Sequence, residues 1–244
     1  MTSPEPMFVF LPGIGADHRL FKYQTAAFPD SLAVDWIDPQ NGETLEQYAV
    51  RLADTIRTKL AKRPSVPVIV CGLSLGGMIA PYIARYLNAA GCVLLCSIRS
   101  PKEFPRRYYA DWLVMRHCLL LRMVRIFIIQ HIAGFLLLLP GVLCRLAGSR
   151  EVPVIRQMLA TPVRRFAGLA RMMFDWAYRR REESEIHGFS GPVLQIHGTR
   201  DPLLPIRLTT PDVRIPGGGH TLATTHSEEI NAILKRFAAG LRLD

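Results

Sequence analysis

At 244 residues, 49% hydrophobic and 20% charged, the chain can bury a substantial core, and its composition excludes a disordered or low-complexity protein. No run of about 18 uncharged apolar residues is present; the nearest, Ile126–Pro140, is shorter and carries Gln130 and His131. The formal net charge is +10, and nearly all of the excess lies between Ile98 and Ser190, where 16 Lys and Arg face 7 Asp and Glu.

Phe8–Leu11 is a short apolar run closed by Pro12-Gly13, which predicts a buried strand. Ala33–Ile37 predicts a second, closed by Asp38-Pro39. From Thr44 onward Leu45, Tyr48, Leu52, Ile56 and Leu60 recur on one helical face, and Thr44 with Gln47 makes a capping box. Val66–Cys71 predicts the third strand. The helix expected from Gly76 contains Pro81, which predicts a kink or a local adjustment. Gly91–Ser97 predicts the fourth strand. From Arg99 to about Arg181 only helical periodicity is present. Strands are then expected at Val193–His197 and Val213–Ile215, with a last helix over Ser227–Ala239 capped by Thr225 and Glu228. The expected fold is α/β: a mostly parallel sheet of about six strands with helices on both faces. Residues 1–97 and 191–244 would form the core domain. Residues 98–190 would form a helical lid or cap inserted above the strands' carboxyl ends, where such sheets bind ligands.

Gly72-Leu73-Ser74-Leu75-Gly76 fits G-x-S-x-G between a strand and a helix, the setting of a nucleophile elbow. A small-residue turn is the plain alternative. A serine hydroxyl needs a base, and the base needs an orienting acid. Asp201 follows the fifth strand in IHGTRDP, and His220 follows the sixth in IPGGGH. His226 falls at the start of a helix, and His197, near a strand end, reads as a buried structural residue. His18, His117, His131 and His187 read as structural or solvated. Glu103, just past the fourth strand, is a second candidate acid; Asp212 opens the sixth strand at the wrong end of the sheet.

On these residues the chain resembles the α/β-hydrolase-fold serine hydrolases, over about 1–97 and 191–244, with the helical insert in the place of that family's lid. The resemblance implies Ser74 as nucleophile, His220 as general base and acid, and Asp201 as the residue that orients His220. Leu11-Pro12-Gly13-Ile14-Gly15 resembles the family's oxyanion loop, which often reads H-G-x, with Pro12 in place of the histidine. The backbone N–H groups of Ile14 and Leu75 are then the implied oxyanion donors.

The expected activity is cleavage of a carboxylic ester of apolar or mid-sized acyl character through an acyl-enzyme. Thioester hydrolysis, acyl transfer and non-catalytic ligand binding are alternatives on the same scaffold. The insert's apolar residues serve either to pack its helices on the sheet or to line an acyl pocket. No cofactor or metal is expected, since no His-Glu-x-x-His or Cys/His ligand spacing occurs and the glycine clusters lack dinucleotide or phosphate-loop spacing. Five cysteines without C-x-x-C spacing read as buried free thiols, and no signal-peptide pattern opens the chain, so a cytoplasmic location is expected. The insert's arginines alternate with Leu, Ile, Phe and Met, which fits amphipathic helices and argues against nucleic acid. Peripheral contact with an anionic membrane, or an acidic substrate, is the second reading of that charge.

Overall fold

The computed structural model describes residues 5–61, 66–110, 112–113, 152–180 and 188–241. Six strands, β1 (Met7–Leu11), β2 (Leu32–Ala33), β3 (Val68–Leu73), β4 (Gly91–Leu95), β5 (Val193–Gly198) and β6 (Val213–Ile215), form one sheet in the order β2-β1-β3-β4-β5-β6. Every neighbouring pair is parallel. The winding direction reverses between β1 and β3, so the loops leaving their carboxyl ends diverge and open a crevice there.

The described helices are α1 (Lys22–Ala27), α2 (Leu45–Leu60), α3 (Leu75–Tyr86), α4 (Val152–Ala160), α5 (Val163–Arg179), α6 (Leu222–Thr225) and α7 (Ser227–Gly240). They cover both faces of the sheet. Val9, Leu11, Val70 and Leu94 point into one core with Tyr48 and Leu52 of α2, Ile79 of α3 and Leu169 of α5. Phe8, Phe10, Ile69 and Leu95 point into the other with Phe21, Leu222 and Ile230. Successive strand residues therefore enter different cores, which is why these strands read as unbroken apolar runs rather than alternating ones.

The Thr44–Gln47 capping box is present, with reciprocal bonds of 3.2 and 3.0 Å. The second strand is shorter than expected. It is an edge strand, and beyond the Val34 N–H bond to Phe10 O (3.0 Å) the chain turns Trp36 inward to Gly13 instead of continuing the ladder. Helix α3 runs through Pro81 without interruption. The expected Thr225–Glu228 cap is not formed: Thr225 ends α6, and its hydroxyl donates back to Thr221 O at 3.1 Å, so α7 starts after His226 without a side-chain cap. His117, His131, His187, Cys118, Cys144 and the apolar segment Ile126–Leu139 lie outside the described residues. No described helix is long and apolar enough to cross a membrane.

Helix α5 docks on the core through both apolar and polar groups. Trp176 Nε1 donates to Tyr82 OH at 2.9 Å, and Arg171 donates to Glu43 O at 2.9 Å. Arg165 and Arg180 pair with Asp38 and Glu46, while Arg99 pairs with Asp212. Part of the basic surplus read from the sequence thus answers carboxylates elsewhere in the fold.

Candidate active site

Ser74 stands between β3 and α3 with φ 55° and ψ −118°, a conformation that costs a non-glycine residue about 1–3 kcal/mol. Its surroundings enforce it. Ser74 N donates to Leu95 O at 3.0 Å, and the buried Ser97 hydroxyl donates to Ser74 O at 2.7 Å. A Cβ on Gly72 would lie 2.2 Å from the Gly76 carbonyl carbon, and one on Gly76 would lie 2.3 Å from Leu11 O. The turn closes only because both positions lack a side chain. Leu75, the first residue of α3, has no intrahelical acceptor for its N–H, which is left at the helix's positive end beside Ser74.

The loops after β5 and β6 bring Asp201 and His220 together: His220 Nδ1 lies 2.7 Å from Asp201 Oδ2. Asp201 Oδ1 accepts from the N–H groups of Leu203 (2.8 Å) and Leu204 (3.0 Å). Burial alone would raise the Asp201 pKa, but hydrogen bonds from His197 and His220, the His220 charge and the Leu204 N–H outweigh it and hold the carboxyl well below the usual carboxylate range. An ionised Asp201 makes Nδ1 of His220 the protonated nitrogen and leaves the Nε2 lone pair open. Arg200 N donates to Gly218 O at 2.8 Å and Thr199 N to Ile215 O at 3.0 Å, tying the two loops to each other.

Two neighbours of this pair were not singled out from the sequence as parts of a site. His197, fully buried, places Nε2 at 2.7 Å from Leu204 O and 3.3 Å from Asp201 Oδ2. A carbonyl only accepts, so Nε2 carries the proton and shares it with Asp201. Cys96, at φ 40°, donates through Sγ to Gly219 O at 3.3 Å, and burial followed by the Asp201 charge pushes its thiol up. The signal available for both was a polar or small residue at the carboxyl end of a strand.

Ser74 reaches the Asp201–His220 pair through the end of β4: it bonds Leu95, and Cys96 touches the loop that carries His220. Among the described residues no hydrogen bond joins the Ser74 hydroxyl to His220. Such bonds are often long in unliganded sites and tighten on the substrate. Glu103 lies elsewhere, its carboxylate taking Arg99 N at 2.9 Å, and burial raises its pKa. His226 bonds Thr225 at the start of α7. Ligand atoms of Cys96, Asp201 and His220 lie within 4.8 Å of one another. However, the 2.7 Å between Asp201 and His220 is a hydrogen-bond distance, shorter than the roughly 3.3 Å between two ligands of one tetrahedral zinc ion.

A cavity of about 190 Å³ opens on Ser74, walled by Ile14, Met78, Phe104, Phe166, Ala170 and Phe174 among others. Its lining is apolar apart from Ser74 and Tyr108, whose hydroxyl donates to Leu203 O at 3.3 Å. A larger cleft of about 740 Å³ lies at the opposite end of the sheet, beside Met7, Phe28 and Lys235. It has no part in the arrangement around Ser74.

Several solved structures share this architecture. An esterase from Thermogutta terrifontis superposes with a TM-score of 0.67 at 19% identity, covering 97% of this chain and 90% of that one. A hydrolase from Pseudomonas aeruginosa PA01 gives 0.69 at 17% identity, covering 96% and 89%. An enol-lactonase from Burkholderia xenovorans LB400 gives 0.64 at 14%, covering 96% and 91%. At these identities the likeness carries the fold alone. None of the curated proteins matches the sequence. The parallel six-stranded sheet agrees with a model of the alpha/beta hydrolase family that matches residues 8–233, and the chain belongs to that family.

Proposed function

We propose that the protein is a serine hydrolase that cleaves a carboxylic ester with an apolar, mid-sized acyl group. The observation that carries the reading is the His220–Asp201 bond at 2.7 Å on loops of the same sheet edge that holds Ser74 in its strained turn. Ser74 Oγ attacks the ester carbonyl carbon while His220 Nε2 takes its proton. The N–H groups of Ile14 and Leu75 hold the oxyanion, and Asp201 stabilises the imidazolium. Collapse of the tetrahedral intermediate breaks the C–O bond, and His220 returns the proton to the leaving alcohol. Water then attacks the acyl-enzyme, its proton passing through His220 to Ser74 as the acid leaves. The apolar cavity beside Ser74 supports an uncharged acyl group.

A fluorophosphonate probe with intact-mass detection tests the reading. One adduct per chain is expected, with none on Ser74→Ala. No adduct on the native protein, or an adduct that survives the substitution, overturns it. The second part of the proposal is peripheral contact between the basic insert and an anionic surface, supported by the charge surplus between Ile98 and Ser190. Flotation with anionic vesicles but not with neutral ones is the expected result; equal behaviour with both removes this part.

A further inference from the structure

The turn after β1 is held by three side chains that reach it from distant parts of the sequence. Gly13 O accepts from Ala16 N at 3.1 Å, closing the turn, and from Trp36 Nε1 at 3.0 Å. Gly15 O accepts from Thr161 Oγ1 at 3.1 Å, a proton shared with Gln157 O at 3.0 Å. Asp17 N donates to Gln157 Oε1 at 3.2 Å. Trp36 and Gln157 are both buried, and Trp36 is itself backed by Tyr48, 6.1 Å away between ring centroids, whose hydroxyl donates to Ile37 O at 2.9 Å.

Gly15 has φ 76° as the third residue of this turn, where a side chain would be strained. The space is also tight: a Cβ would lie 3.0 Å from Met158 Cγ and 3.2 Å from Phe166 Cε2, so those side chains would have to give way. Helices α4 and α5 therefore close directly on the turn. On its other side the turn abuts the elbow, since a Cβ on Gly13 would lie 3.5 Å from Ser74 Cβ. A trans peptide sets its N–H opposite its C=O, so pinning Gly13 O also fixes the direction of Ile14 N–H.

On the serine-hydrolase reading, we infer that Trp36, Gln157 and Thr161 are positioning residues for the oxyanion donor Ile14. Helix α4 and the turn that follows it supply two of the three, so this part of the chain shapes the catalytic geometry. The physical reason is preorganisation. An oxyanion donor acts at 2.7–3.1 Å without reorganising during the reaction, and a backbone turn free to rock loses that.

Trp36→Phe, Gln157→Met and Thr161→Val each remove the polar atom that reaches the turn, the last two with little change in side-chain volume. For each, kcat on a p-nitrophenyl ester, per active site titrated with the fluorophosphonate probe, is expected to fall about tenfold with KM within twofold, within the roughly 100-fold that a 1 Å misplacement can cost. The affinity of a trifluoromethyl ketone, which adds Ser74 and forms an oxyanion, should fall by the same factor. That of the corresponding methyl ketone, which adds serine far less, should hold, and Thr161→Ser should restore most of the loss. Titration per active site removes any variant molecules that fail to fold. Unchanged kcat per site, or both ketones weakening together, overturns the positioning role alone. A native protein with no Ser74 adduct overturns the underlying reading, and this role with it.

Discussion

Asp201 shows how much a single site residue depends on its neighbours. Asp201 is 5% exposed and its side chain is fully buried, yet the carboxylate stays ionised, because two imidazoles and two backbone N–H groups supply what water would. Asp201→Asn leaves the shape and removes the charge. On the proposed mechanism kcat should fall by about 10³–10⁴-fold, as the imidazolium loses its partner and Nδ1 its acceptor. The same residue makes a pH prediction. Its folded pKa lies below the unfolded value of about 3.9, so its stabilising contribution is complete above that value and is lost as the pH falls below about 4. Asp201→Asn should flatten that acid-side loss, measured as denaturant midpoints at a neutral pH and at one below 4. An unchanged slope would mean that other carboxylates dominate it.

At the scale of elements, two short stretches carry the site. The β3–α3 turn depends on backbone contact that only glycine permits. Gly76→Ala places a methyl against Leu11 O, a main-chain atom that cannot swing away. Overpacking of this kind costs roughly 1–3 kcal/mol, sometimes more, and chemical denaturation should show at least the lower figure. Helix α5 presents Phe166, Ala170, Met173 and Phe174 to the cavity at helical spacing, and Ala170 is the small member of that face. A dry cavity of about 150 Å³ holds benzene, so the one beside Ser74 suits an acyl chain of about six to eight carbons. Across p-nitrophenyl esters of increasing length, kcat/KM is expected to peak in that range. Ala170→Phe should move the peak to shorter acyl groups, and an unmoved profile would place the acyl chain elsewhere.

For the whole molecule, the uneven charge becomes a matter of assembly as well as of surface. Arg165 of α5 and Arg180 just beyond it pair with Asp38 and Glu46, acids of the segments around α2. Exposed pairs contribute little singly, about 0–1 kcal/mol, and the apolar side chains that α5 buries in the core supply the main attachment. Arg165→Ala is therefore expected to lower stability by less than about 1 kcal/mol. A larger loss in chemical denaturation would mean that the pair is coupled to the docking of α5.

Apolar periodicity was enough to read the parallel α/β sheet, because strands buried on both faces leave unbroken apolar runs and their helices leave a 3.6-residue pattern. The Thr44 cap and the serine's turn were legible for the same reason: each is built within a few residues. What the tertiary structure alone decided joins residues far apart in the chain. Trp36 meets Gly13 across 23 positions, Thr161 meets Gly15 across 146, and Ser97 meets Ser74 across 23. A hydrogen bond between distant segments imposes no spacing on either. Even a local expectation yields to such competition: Thr225 was placed to cap α7, but its hydroxyl found Thr221 O one turn earlier. The elements and the order of Ser74, Asp201 and His220 were thus properties of the sequence. The company each keeps, from the Asp201–His220 bond to the buried pins on the Ile14 turn, exists only once the sheet has brought its loops to one edge.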